Sequence, residues 1–354
     1  MKKHNFSAGP CILPQEVLKE ASEAILNFNN DSLSLIEISH RSPSFVAVMD
    51  KARALSLELL GLENKGYKAL FLQGGASLEF LMVAYNLLNK KAAYLNTGTW
   101  SDKAIKEAKA FGEMIEVASS KDKKYSYIPK GYNIPEDADY FHCTSNNTVA
   151  GTQIKEFPET NVSLICDMSS DIFSRQLDFE KFDLIYAGAQ KNMGPAGTTI
   201  VIVKEDVLGK VTRQIPSMMN YQLMINKDSM FNTPPVFSIY VSLLTMKWLK
   251  NLGGIETIDE INKTKAIVMY SEIDLNPLFK GFAAVEDRST MNATFSLVND
   301  GLKNTFESMM KEAGIEGING HRSVGGYRAS MYNALSLDSV KVLVEVMSEL
   351  ETKA

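Results

Sequence analysis

Cysteine, tryptophan, histidine and arginine are all scarce in this sequence, and long apolar runs are missing altogether. The three cysteines, Cys11, Cys143 and Cys166, are an odd number at no metal-ligand spacing, which argues against a disulfide framework or a zinc site. Cys166 lies inside an apolar run, and all three read as reduced thiols. No apolar stretch approaches the roughly 20 residues that a membrane-spanning helix requires. Met1-Lys2-Lys3 leads into polar His4 and Asn5 and then Pro10, so no signal-peptide core is expected and the cytoplasm is the default compartment. No G-x-G-x-x-G follows a candidate strand, which counts against a dinucleotide. Repeats and low-complexity tracts are absent too. Nor is positive charge in excess: a formal net charge of −5 argues against a nucleic-acid or anionic-membrane surface, and any cationic pocket must be local.

What is present is an ordinary globular composition, 45% hydrophobic and 22% charged, in 354 residues. Single cores tend to split beyond roughly 250–300 residues, so two domains are expected. The most informative segment runs from Tyr186 to Gly197, Y-A-G-A-Q-K-N-M-G-P-A-G. It isolates Lys191 between the apolar runs Phe182 to Tyr186 and Thr198 to Val203, both of which read as buried strands. The joining loop is too short for a parallel crossover helix, so the two strands should be antiparallel neighbours. With only small neighbours, a lysine there sits in mostly apolar surroundings that lower its pKa towards a useful amine nucleophile, the requirement for a Schiff base. The alternative is a solvated surface-loop lysine, as most of the 30 lysines must be.

Taken in order, Asn5 to Pro10 forms a turn, Pro14 opens a helix, and Val17, Leu18, Ala21, Ile25 and Phe28 follow at helical spacing. In I-S-H-R-S-P, residues 38–43, Ser42 is a natural N-cap and Pro43 a natural first helical residue. His40 and Arg41 therefore flank a helix N-terminus, where partial positive charge favours an anion; otherwise they tie loop carbonyls together. Lys68 to Gln73 reads as a strand, Gly74-Gly75-Ala76-Ser77 as a turn, and Leu78 to Leu88 as a buried helix, the order that cradles a phosphate. Two glycines alone equally permit close helix–sheet packing. After a strand at Ala92 to Leu95, Trp100 falls at a carboxyl edge ahead of a helix capped by Ser101. In an open α/β sheet ligands bind at that edge, so the indole is placed either to stack on a flat ring or to fill the core.

Met114 to Val117 is a further strand, and the lysine-rich stretch Ser119 to Tyr132 reads as solvated surface. Asp139 to Cys143 and Val162 to Cys166 return to the sheet. The first ends in Thr144-Ser145-Asn146-Asn147-Thr148, polar groups that commonly satisfy turns. The second ends in Asp167, 24 residues before Lys191. A carboxylate at that tip is placed to keep a pyridinium nitrogen protonated, or to cap the Ser169-Ser170 turn. Thr233 and Pro234 read as N-cap and first residue of a helix over Val236 to Leu249. Gly253-Gly254 marks a boundary, beyond which helix, strand 290–298, helix 302–313, strand 327–332 and helix 337–350 give an α+β unit. Three of only seven arginines, Arg41, Arg322 and Arg328, fall in the two His-Arg segments with His40 and His321. The guanidinium fork pairs bidentately with carboxylate and phosphate, so this concentration suggests recognition of an acidic substrate.

The opening arm, residues 39–43, the lysine segment and Gly320 to Tyr332 together resemble the phosphoserine aminotransferases, a class-V family dependent on pyridoxal phosphate, over nearly the whole chain. The resemblance implies the aspartate-aminotransferase-like α/β fold (fold type I): a large, mostly parallel seven-stranded sheet domain, residues 16–254, and a smaller α+β domain from residues 1–15 and 255–354. It implies a cytoplasmic homodimer that transfers an amino group between glutamate and 3-phosphohydroxypyruvate in serine biosynthesis, giving 2-oxoglutarate and O-phospho-L-serine. A side activity on 4-phosphohydroxythreonine also goes with the family. By this similarity Lys191 is the cofactor lysine and proton shuttle, Asp167 the pyridinium partner and Trp100 the stacking residue. Ala76, Ser77, Thr148 and Gln190 match cofactor contacts, and Asn232 and Thr233 match those lent by the second subunit. Arg328 matches the carboxylate-binding arginine, and His40, Arg41, His321 and Arg322 the side that holds the substrate phosphate. No metal is implied. Some relatives carry arginine where this chain has Ser77, so part of the distal anion recognition is either missing or supplied otherwise.

Alternatives are another class-V aminotransferase, a desulfurase of the same fold, or a non-catalytic pyridoxal-phosphate-binding protein. A desulfurase needs a nucleophilic cysteine near the cofactor, and none of the three is an obvious one. The intact Lys191, Asp167 and arginine set speaks against a non-catalytic binder, and the missing glycine fingerprint against a nicotinamide dehydrogenase.

Overall fold

The computed structural model describes residues 3–353; Met1 and Lys2, where the signal-peptide reading begins, and Ala354, the end of the expected small domain, lie outside them. The chain opens with a two-residue strand, β1 (His4–Asn5), and helix α1 (Gln15–Leu26), whose N-cap position is occupied by Pro14. Val17, Ala21, Ala24 and Phe28 form its buried stripe, whereas Leu18 and Ile25 are 44% and 37% exposed. Each exposed residue lies one position past the stripe, about 100° further round the helix. Helix α2 (Pro43–Leu59) starts as its sequence dictates, with the Ser42 hydroxyl accepting the Phe45 amide at 3.4 Å.

Alternation then builds the sheet: β2 (Tyr67–Leu72), α3 (Gly75–Leu87), β3 (Lys91–Asn96), α4 (Thr99–Ala108), β4 (Glu113–Ser119) and β5 (Phe141–Thr144). A small antiparallel pair, β6 (Asn146–Asn147) with β7 (Thr152–Gln153), is followed by β8 (Leu164–Asp167), β9 (Leu184–Gly188), the one-turn helix α5 (Ala189–Asn192) and β10 (Thr199–Lys204). The seven long strands lie in the order β2-β10-β9-β8-β5-β3-β4. All neighbours are parallel except β10, which runs antiparallel to both β2 and β9; Thr199 faces Gly188 and Val203 faces Leu184. The Lys191 loop therefore joins antiparallel neighbours, as its length requires.

Side chains alternate across the strands. Phe71, Leu95, Phe141, Cys143, Cys166, Ile185 and Ile202 project to the face covered by α1, α2 and a later helix, α7 (Val236–Asn251). Leu70, Tyr94, Ile165, Tyr186 and Val201 project to the face covered by α3 and α4. Burial on both faces explains why these strands read as nearly continuous apolar runs. The lysine-rich connection after β4 is only partly solvated: Lys121 to Lys124 are exposed, but Ile128 and Pro129 are buried.

Helix α6 (Tyr221–Asn226) precedes α7, and α8 (Gly254–Leu275) begins just beyond Gly253, whose φ of 113° suits glycine alone. An antiparallel three-stranded sheet follows, built from β11 (Phe279–Gly281), β12 (Asn292–Leu297) and β14 (Tyr327–Ser330). Helix α9 (Lys303–Glu312) and strand β13 (Ile315–Glu316) lie between β12 and β14, and α10 (Leu337–Lys353) closes the chain. Phe279, Phe295, Phe306 and Tyr327 stack edge-on or tilted in the core beneath this sheet. Strand β1 pairs in parallel with β13, His4 facing Ile315, so the N-terminal arm belongs structurally with the last forty residues. Among the described residues no helix is long and apolar enough to cross a membrane.

Candidate active site

The carboxyl ends of β3, β5, β8 and β9 open on a cavity of about 420 Å³. Gly74 to Ser77, Trp100, Thr148, Asp167, Gln190 and Lys191 line it from the large sheet, His321 and Arg328 from the smaller sheet, and Ala8 and Gly9 from the arm.

Lys191 occupies the third position of the one-turn helix α5. Burial pushes its amine below the usual lysine range; the Asp167 carboxylate opposes that shift and the Arg328 guanidinium reinforces it. Its Nζ lies 5.4 Å from the centre of the Trp100 ring. The arm closes over the lysine stem at Gly9: a Cβ added there would meet Lys191 Cγ at 3.4 Å, and its φ of +145° suits glycine alone. Cys11 continues the contact, its amide donating to the Gln190 carbonyl at 3.0 Å and its thiol to the Lys191 carbonyl. Burial pushes that thiol up to about 12, which removes it as the nucleophile a desulfurase needs.

Asp167 is 4% exposed at the tip of β8. One oxygen, Oδ1, accepts both the Ser169 amide at 2.9 Å and the Ser169 hydroxyl at 2.6 Å. The other has no hydrogen-bond partner among the described residues. One oxygen thus caps the Ser169-Ser170 turn, and the other is left spare. Burial raises its pKa, against the opposing charge of Lys191 and the bonds from Ser169. The Trp100 indole is oriented by donation from Nε1 to Thr148 Oγ1 at 3.2 Å.

At the opposite wall α3 begins at Gly74, φ 98°, and Gly75, φ 67°, with no side chain capping its first amides. A Cβ at Gly74 would sit 2.4 Å from the Leu78 side chain, so a larger residue cannot make this turn. Thirteen residues of aligned peptide dipoles thus end in open N–H groups at the cavity. Arg328 donates through Nη1 to the Thr148 carbonyl at 3.2 Å, while its buried Nε has no partner. His321 Nδ1 shares a 2.7 Å hydrogen bond with Ser323 Oγ. Burial, then Arg328, Arg322 and Lys103, hold its ring below the ordinary histidine pKa.

The remaining candidates lie elsewhere in the single chain. His40 is buried with Nε2 unpartnered, and Arg41 beside it is exposed. Arg322 is exposed next to His321. Asn232 lines a separate cavity of about 250 Å³, and the Thr233 carbonyl accepts Gln73 Nε2 at 2.7 Å. Pro235, not Thr233, occupies the N-cap position of α7, because the helix starts at Val236. Ser101 likewise is the third residue of α4 rather than its cap; its hydroxyl reaches back to the Thr97 and Gly98 amides. Of the other lining residues, the sequence pointed to Ser169 only as part of the turn after Asp167 and to Phe80 only as part of a buried helix, and it gave no signal at Val149.

The arrangement is a candidate amine beside an indole, a spare buried carboxylate oxygen, an open helix N-terminus and an arginine. The class-V aminotransferase family model matches residues 3–343, and the chain belongs to that family. Within it, the chain is 69% identical to the phosphoserine aminotransferase of Flavobacterium psychrophilum and 66% to that of Flavobacterium johnsoniae, over the full length of both chains in each case. The phosphoserine aminotransferase structure from Bacillus circulans subsp. alkalophilus superposes with a TM-score of 0.96 at 42% identity, covering 99% of each chain. The pyridoxal-phosphate-bound phosphoserine aminotransferase from Trichomonas vaginalis gives 0.93 at 35% identity, covering 98% of this chain and 100% of that one.

Pyridoxal phosphate is the cofactor of this fold, and the residues present fit it. The spare Asp167 oxygen could accept a pyridinium N–H, the uncapped start of α3 could receive a phosphate, and the unpartnered Arg328 Nε could donate to an anionic group beside it.

Proposed function

We propose that this protein is a phosphoserine aminotransferase. It moves an amino group reversibly between glutamate and 3-phosphohydroxypyruvate, giving 2-oxoglutarate and O-phospho-L-serine, and so serves serine biosynthesis in the cytoplasm. The observation that carries the reading is the convergence of Lys191, Asp167 and Trp100 on one cavity in a chain 69% identical to a phosphoserine aminotransferase.

When bound, pyridoxal phosphate supplies an aldehyde carbon for the amine and a protonated ring that withdraws electrons from the substrate carbon. Lys191 would hold the cofactor, and its ε-amine, kept low in pKa by burial, would take up and return the proton of the substrate α-carbon. Asp167 would keep the cofactor's ring nitrogen protonated, and Ser169 fixes that carboxylate. Trp100, oriented by Thr148, would stack on the cofactor ring. Ala76, Ser77 and Gln190 line the same cavity and would contact the cofactor. Arg328 binds the substrate carboxylate, and His40, Arg41, His321 and Arg322 bind its phosphate.

Since His40, Arg41, Asn232 and Thr233 lie off the cavity of their own chain, we assign them to the partner's site in a homodimer. The two units of the chain are placed at residues 16–254 for the cofactor and at 1–15 with 255–354 for the substrate end. Substrates carrying the same phosphate and amino-acid ends, 4-phosphohydroxythreonine among them, suit the same site. The test is the visible spectrum of purified protein before and after glutamate, followed by turnover of phosphoserine with 2-oxoglutarate. A bound chromophore that glutamate converts and phosphoserine turns over bears the reading out. A spectrum unmoved by either amino donor overturns it.

A further inference from the structure

Lys191 stands in the one-turn helix α5 and Asp167 ends β8, and neither the α5 loop nor the loop after Asp167 is held by regular structure alone. A one-turn helix has no stability of its own, because helix nucleation costs more than a single turn returns. After Asp167 the chain makes turns to Phe173, a buried aromatic residue at φ 57°, a conformation that a bulky side chain rarely adopts and that neighbours must enforce. Both loops meet a third segment, residues 331–335, at three buried asparagines: Asn192, Asn262 and Asn333.

Asn192, the residue after Lys191, accepts the Asn333 amide on Oδ1 at 2.9 Å and donates from Nδ2 to the Ile172 carbonyl at 2.6 Å. The Asn333 side chain donates from Nδ2 to the carbonyl of Phe173 itself at 2.9 Å. Its Oδ1 accepts Nδ2 of Asn262 at 2.9 Å, and the same Nδ2 lies 3.0 Å from the Ser174 carbonyl. One turn further along α8, the fully buried Lys265 donates to the carbonyls of Met331, Tyr332 and Leu335 at 2.9, 2.9 and 3.1 Å. The Lys265 amine, held against three carbonyls, fixes the 331–335 segment. Tyr332 in that segment donates to the Ala8 carbonyl at 2.8 Å, so the arm over Lys191 is held from the same place.

We propose that Asn333 is a positioning residue that sets the distance and orientation between Asp167 and Lys191, by gripping the Phe173 carbonyl on one side and Asn192 on the other. Lys265 and Asn262 hold Asn333 in turn. The inference rests on the roles proposed above for Lys191 and Asp167. Its physical content is that a proton must be passed by one group while another holds the ring, and displacement of a reacting group by about 1 Å costs up to a hundredfold in rate.

Asn333→Asp keeps the size and the acceptor for Asn262 but removes the donor to Phe173; Asn192→Ala removes the other grip. The measurements are Tm, the pH midpoint of the visible absorbance of the cofactor-loaded protein, and kcat and KM for the glutamate half-reaction. We expect each variant to fold and to bind cofactor, with a shifted midpoint, a kcat lower by on the order of tenfold or more, and little change in KM. If Asn333→Asp does not fold, Asn192→Ala decides alone. A lowered Tm with midpoint and kcat as in wild type assigns these bonds to folding only and overturns the proposal. Failure of the functional reading is seen separately, as a wild-type spectrum that glutamate does not change.

Discussion

The Lys191 amine and the Trp100 indole are neighbours, 5.4 Å from nitrogen to ring centre, although the tryptophan comes 91 positions earlier in the chain. The indole is locked by Thr148, so a flat ring joined to the lysine has one wall already in place. A second amine, Lys103 Nζ, lies over the same indole, 4.4 Å from its ring centre.

Lys191→Ala should abolish turnover while leaving the fold intact. The substitution removes one cavity-lining side chain and keeps the carbonyl that Cys11 binds. Absorbance and circular dichroism should show a native-like protein without the lysine-linked chromophore. Persistence of that chromophore with transamination would assign the cofactor to another lysine.

Asp167→Asn should retain cofactor but slow the proton shift severely, because a neutral amide cannot keep the ring nitrogen protonated. The bonds from Ser169 survive in the amide through its oxygen, so stability should change little. Single-turnover absorbance with glutamate measures the step directly. Rates close to wild type would remove Asp167 from this role.

The His-Arg pairs should read phosphate rather than the amino-acid end. A hydrogen bond to a charged group contributes about 1.5–3 kcal/mol, so loss of one arginine should cost about ten- to a hundredfold in kcat/KM. Arg41→Ala and Arg322→Ala should therefore lower kcat/KM more for phosphoserine than for glutamate, whose side-chain carboxylate carries less charge. Arg328→Ala should lower both alike. Equal losses for both substrates in all three variants would deny the pairs a role in phosphate recognition.

Glu79 gives a prediction about pH. It lies fully buried in α3, where Oε2 accepts the Tyr221 hydroxyl at 2.5 Å and Oε1 has no partner. Burial pushes this carboxyl up to about 8, so the folded protein keeps a proton that the unfolded chain releases in the ordinary carboxylate range. The stability tied to that proton is complete below the unfolded pKa and is lost as pH rises through about 8. Glu79→Gln should melt higher than wild type above that pH, by on the order of a few kcal/mol at most, with the two curves converging in acid. Parallel curves across the whole range would mean that folding does not shift the Glu79 pKa.

The large sheet was legible because strands buried on both faces announce themselves as apolar runs, and because polar residues at their tips stand out against them. Lys191, Asp167 and Trp100 were found that way, and the Ser42–Pro43 start of α2 from local chemistry alone. Three-residue β11 carries too little pattern to be seen. The phase of the α1 stripe was misjudged at Leu18 and Ile25, since spacing of 17, 18, 21 and 25 fits two adjacent faces and only the packing of α7 selects one. The Asn192–Asn262–Asn333 cluster joins positions 71 to 141 residues apart through side-chain amides, and no local periodicity encodes such a meeting.

The pairing of β1 with β13 also dictates an order of events during synthesis. Every strand of the seven-stranded sheet lies between residues 67 and 204, so that sheet has all its parts while the C-terminal third is still unmade. The arm leaves the ribosome first yet has no docking strand until Ile315 and Glu316 emerge. Until then Ala8 and Gly9 cannot settle over Lys191, and Arg328 does not exist. A nascent chain therefore carries Lys191 uncovered while the 124 residues from it to Ile315 are made, and the pocket is completed only after Arg328 follows.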